Sequence, residues 1–166
     1  LGNVSNTKGT VVTVANDGQY HRFGPYKIDN SPPTVSVSPS SLTDAKKSTT
    51  VTITLTDDGP AGLASTTNQQ YYLTTNASPT TTDQLGSVAY YNSGSAFTIG
   101  GGKTGTYYLY VKSISDTATN TSVGNITIGG VSYHKYGPYK FDNTNPTVNL
   151  TVTEHTPAGN DVTIWK

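Results

Sequence analysis

Apolar positions alternate with hydroxyl-bearing ones along most of this chain. Val35 and Val37 stand between Thr and Ser, and Val51, Ile53 and Leu55 stand between threonines. A period of two gives an extended strand one apolar and one polar face. The same pattern predicts strands over 71–75, 87–91, 96–99, 107–113, 125–127, 131–133 and 139–142. In the strongest of these, Tyr107, Leu109 and Val111 share one face, and Tyr108, Tyr110 and Lys112 share the other. Asp57-Asp58-Gly59-Pro60, the polar stretch 76–84, Asn92-Ser93-Gly94, Gly100-Gly101-Gly102 and Gly129-Gly130 interrupt them as turns. No segment carries an apolar stripe at helical spacing, and Thr favours strand over helix. The expectation is an all-β chain folded as an antiparallel β-sandwich.

An internal repeat sets the organisation. Residues 20–30 read YHRFGPYKIDN and residues 133–143 read YHKYGPYKFDN, so eight of eleven positions are identical at a separation of 113 residues. That period is too long for a solenoid unit and suits a repeated domain. Proline-containing joints follow both copies, at Ser31–Pro33 and Thr144–Pro146. The phase divides the chain into 1–31, the terminal strands of a preceding repeat; 32–145, a complete β-sandwich domain; and 146–166, the opening strands of a following repeat. Proline limits the joints to extended or turn backbone, which holds neighbours end to end semi-rigidly.

Composition narrows the function. Lys plus Arg and Asp plus Glu both total 10, so the net charge is zero and nothing draws the chain to nucleic acid. Only 12% of residues are charged, which protects poorly against association in a crowded cytosol. Cys is absent, which excludes disulfides and thiolate metal sites. No apolar run reaches membrane-spanning length. The absence of Met leads us to expect a mature fragment or an excised piece of something longer. Catalysis finds little support. There is no G-x-S-x-G elbow, Glu154 is the only Glu, and Gly100–Gly105 lacks both the spacing and the following helix of a phosphate loop. We therefore expect no enzyme.

Several motifs together resemble the bacterial immunoglobulin-like repeats of large surface and secreted proteins. They are Gly105–Lys112, Asp116-Thr117-Ala118-Thr119-Asn120, Tyr139–Asp142 and Pro146-Thr147-Val148, with Asp57–Leu63 after the second strand. In that family a D-x-A-G-N loop follows the penultimate strand, and a D-x-T-x-P joint follows the last. Here Thr119 replaces the loop glycine. The resemblance implies an immunoglobulin-like sandwich of tandem-repeat type, an extracellular location that is secreted or attached to the cell surface, and a non-catalytic spacer role. Its expected partners are neighbouring repeats of the parent chain, with no membrane insertion.

Two candidate sites stand out. Asp57, Asp58, Asp116 and Asn120 lie in two inter-strand loops that the sandwich topology brings to one end, and Asp29 and Asn30 sit near the joint at that end. Their oxygen chemistry suits Ca2+, although Asp and Asn also cap turns. Tyr is the compositional outlier, with 12 residues. Only one of each adjacent pair can face the core, leaving Tyr72, Tyr90 and Tyr108 for the sheet surface. The alternative function is therefore an adhesive or carbohydrate-binding module whose tyrosines dock a host protein or a glycan. The incomplete ends also expose strand edges, which predicts weak head-to-tail self-association.

Overall fold

Val51, Ile53 and Leu55 are almost fully buried, whereas Thr50, Thr54 and Thr56 are exposed. The computed structural model describes residues 10–14 and 18–151. In it these residues form β4 (Thr49–Thr56), between β3 (Thr34–Ser38) and β7 (Ala96–Ile99). Burying each such aliphatic side chain contributes about 1.5–3 kcal/mol relative to leaving it in water. The facing sheet has five strands in the order β6 (Val88–Tyr91), β5 (Gln69–Thr74), β8 (Gly105–Lys112), β10 (Val131–Phe141) and β9 (Ile126–Ile128). All ladders within the two sheets are antiparallel. The chain crosses between sheets after β4, β6 and β7, which makes an immunoglobulin-like antiparallel β-sandwich. Leu109, Val111, Tyr139 and Phe141 meet Val51, Ile53 and Ile99 in the space between the sheets.

Residues 131–133 and 139–142 were expected as separate strands. Residues 131–141 instead form one strand, β10, which ends before Asp142 and whose register on β8 shifts between Tyr136 and Tyr139. Gly137 sits in this bulge with φ 117°, a conformation that favours glycine. Gly137-Pro138 therefore reads as a turn in sequence, yet pairing resumes directly after it.

The five-stranded sheet is covered on its outer face as well. Leu85, Tyr110, Ile128 and Tyr133 form a second buried cluster there. The excursion over residues 75–87 reaches it with a short 3-10 turn, Thr82–Leu85. The Tyr110 hydroxyl donates to the Asn76 carbonyl at 3.0 Å, and Lys135 Nζ donates to the Ala77 carbonyl at 2.6 Å. Two covered faces explain why Leu109, Tyr110 and Val111 are consecutive and all buried.

β1 (Thr10–Val14) and β2 (Gly18–Arg22) pair with each other as a separate hairpin. Val12 faces Tyr20 across it, as Ile126 faces Tyr133 in the hairpin of β9 and β10. Gly24 has φ 112°, close to that of its counterpart Gly137. The surroundings differ. Phe23, Tyr26 and Ile28 are exposed, whereas the equivalent Tyr136 is half-buried and Tyr139 and Phe141 are buried. Residues 142–151 carry no strand, and Val148 and Leu150 are exposed. The rest of the segment expected as opening strands, residues 152–166, lies outside the described residues, as do residues 1–9 and 15–17 of the expected terminal strands. Among the described residues no helix is long and apolar enough to cross a membrane.

Candidate functional site

Two loops meet at the end of the sandwich where the linker from β2 arrives. They are residues 57–68, between β4 and β5, and residues 113–125, between β8 and β9. Backbone bonds join them, from Ala64 N to Ser115 O at 3.1 Å and from Thr117 N to Gly62 O at 2.9 Å. The Thr117 hydroxyl adds a bond to Ala61 O at 2.7 Å. Within the second loop, Asp116 is buried. Its two oxygens accept from the backbone and side-chain nitrogens of Asn120, each at 2.8 Å. Thr119 between them has φ 72°, the left-handed region that β-branched residues rarely adopt.

The linker docks onto these loops through Asp29. One carboxylate oxygen accepts from Ser31 N and the other from Ala61 N, both at 2.9 Å. The Asp29 carbonyl accepts from Asn120 Nδ2 at 3.0 Å. Asn120 thus ties the linker to Asp116 with a single carboxamide. The carboxylates of Asp29, Asp57 and Asp116 offer oxygens that all lie within 4.8 Å of one another. Asp57 Oδ1 accepts from Gly59 N at 3.3 Å, but Asp57 Oδ2 is buried with no hydrogen-bond partner. Three like charges this close repel unless a cation or protons sit among them. An orphaned carboxylate oxygen facing other carboxylates is a donor set that fits a hard divalent cation.

The structure thus brings together Asp29, Asp57, Asp116 and Asn120 of the expected cation residues. Asp58 is exposed and outside the cluster, and so is Asn30. The equivalent of Asn30, Asn143, instead donates to the carbonyls of Lys47, Gly100 and Lys103. Asp142, the equivalent of Asp29, repeats its turn by accepting from Thr144 N at 2.9 Å. The Thr144 hydroxyl and amide hold its carboxyl below the ordinary range. Sequence reasoning missed Gly59. A Cβ there would collide with the Asp29 carboxylate, and the only signal was a glycine in a turn.

The tyrosines are less open than their number suggested. Tyr72 packs edge-on against Tyr133, with centroids 6.0 Å apart, and Tyr108 lies beneath Lys135 Nζ at 4.6 Å. Both are half-buried, packed beside the outer cluster. Tyr90 is 52% exposed and borders a cleft of about 340 Å³ with Asn68, Asn92 and Phe97. Burial pushes the Tyr110 phenol up to about 12. It also raises the Tyr71, Tyr91, Tyr133, Tyr136 and Tyr139 phenols. His134 is pulled below its ordinary value by burial, and its Nε2 pairs with the buried Ser122 hydroxyl at 3.0 Å.

No protein-family model, curated protein or solved structure matches the chain.

Proposed function

We propose that this chain is part of a tandem array of bacterial immunoglobulin-like repeats and acts as a non-catalytic spacer in a surface-exposed or secreted protein. The observation that carries the reading is the docked joint. The segment ending in Asp29 repeats the end of the last strand of the sandwich, and it is seated on the loops of the next unit. The exposed Phe23, Tyr26 and Ile28 fit the same picture, because their counterparts are covered by strands of their own unit. On this reading residues 1–31 close a preceding domain, 32–145 form a whole one, and 146–166 open the next.

The carboxylate cluster would stiffen the joint by holding a calcium ion through Asp29, Asp57 and Asp116. Such an ion would tie the linker to both loops and cancel their mutual repulsion. Small-angle scattering from a chain of three consecutive units tests the spacer reading. An elongated particle that lengthens by a constant step per unit is expected, and a compact globule overturns it. The adhesive alternative rests on Tyr90, and a glycan and matrix-protein array read with Tyr90→Ala separates it from the spacer.

A further inference from the structure

The first and last segments of the sandwich run side by side in the same direction. Residue 46 bridges residue 141 in a parallel arrangement, and Leu42 N donates to Pro138 O at 2.8 Å. Gly137 N donates to Ser40 O at 2.8 Å, Lys46 N to Lys140 O at 3.1 Å, and Asp142 N to Lys46 O at 3.0 Å. Two phenols add to this contact. Tyr136 donates to Val35 O and Tyr139 to Pro39 O, each at 2.7 Å. The Asn143 carboxamide closes the far end on Lys47 O at 3.0 Å.

The direction of pull makes this arrangement matter. In an array the chain arrives just before Thr34 and leaves just after Phe141. Pro33 and Thr34 border the same small cleft as His134, and Phe141 lies seven residues further along β10. At about 3.3 Å per residue, tension along the array acts over about 23 Å of strand. It drags the first segment and β10 in opposite directions along their common axis. Every bond between them is then loaded at once, whereas an antiparallel hairpin pulled at its ends opens one bond at a time. Forced opening follows the barrier to unfolding, so loading the bonds together raises the force needed.

We infer that the contact between residues 35–47 and 136–143 is a shear clamp that makes each unit resist tension along the array, so that the chain bears load as well as spanning distance. The inference rests on the spacer reading for the direction of the load.

The chain has no cysteine, so handles introduced by Ser31→Cys and Thr144→Cys pull the full chain along the predicted axis. Tyr136→Phe with Tyr139→Phe removes two bonds of the clamp and keeps the packing. The rupture force is expected to fall by about a third to a half at a fixed loading rate. Lys46→Pro removes the amide bonded to Lys140 and should act in the same direction. Asn92→Ala breaks a comparable bond, to Asn68 N at 2.9 Å, in the turn between β6 and β7. It should lower the melting temperature and leave the force unchanged. If the phenol pair leaves the force unchanged, or if Lys46→Pro and Asn92→Ala lower it equally, there is no clamp. A compact three-unit particle in scattering would overturn the spacer reading, while the rupture forces would still report on the clamp.

Discussion

The carboxylate of Asp29 occupies the space that a side chain on residue 59 would need, so Gly59 admits the incoming linker to the domain. Nothing else at this position is small enough. The residue serves the joint and not the core, since Asp57 and Pro60 beside it lie beyond β4. Gly59→Ala should therefore expel Asp29 and leave the sandwich folded. The Ala61 amide, freed from Asp29, should exchange its hydrogen about tenfold faster, while amides of β4 and β8 keep their protection. Unchanged exchange at Ala61 would show that the linker is held by other contacts.

The carboxylate cluster makes opposite predictions with and without a cation. In chelator, Asp57→Asn should raise the melting temperature, because it removes one of three crowded charges. In millimolar calcium the wild-type chain should gain stability by mass action, and both Asp57→Asn and Asp116→Asn should lose that gain. A melting curve that ignores calcium in all three proteins would leave the cluster as a turn-capping arrangement.

Thr119 carries a strained backbone, with φ 72° in the loop that Asp116 and Asn120 close. Thr119→Gly should relieve about 1–2 kcal/mol of strain and return about half of that as chain entropy in the unfolded state. A net gain of about 0.5–1 kcal/mol in chemical denaturation is expected. Thr119→Val, which keeps the branching, should give none.

The titratable groups narrow the pH range of stability from both sides. Tyr110 and the other buried phenols have raised values in the fold. Their contribution is complete below the ordinary phenol value and is lost as pH rises above about 10. His134 is lowered in the fold from 6.5, so the unfolded chain takes up the proton first and stability falls as pH drops below that value. Phenolate absorbance at about pH 11 should show only part of the tyrosines ionised until the protein unfolds. His134→Gln should flatten the acid limb, which a thermal melt series would read directly.

Much of the sandwich is legible in the alternation of Val51, Ile53 and Leu55, because burial on one side of a strand leaves a period of two. The same alternation runs past the end of β4. Leu55 points in, Thr56 out, Asp57 partly in and Asp58 out, which is why Asp57 joins the cluster and Asp58 does not. Treating both as candidates ignored that parity. The outer cluster was hidden because the segment covering it is mostly polar, with Leu85 its one large aliphatic side chain, and its bonds come from backbone carbonyls such as Asn76 O and Ala77 O. Carbonyl acceptors leave no trace in sequence. The surplus of tyrosines was the visible half of that layer.

The two ends of the domain are not alike. At one end are the loops that receive an aspartate, and at the other is Asp142, already folded into the turn that Asp29 adopts where it is received. Couplings of this kind have a socket and a plug. An array built from them has a head and a tail, and no unit can be inserted backwards. In the proposed array each joint would copy the orientation of the one before it, so a small fixed rotation per unit would add up to a helical pitch. The unit at one extremity of such an array would be left with an unfilled socket and the unit at the other with an unused plug. Those two positions would be where a differently folded module attaches without disturbing any joint in between.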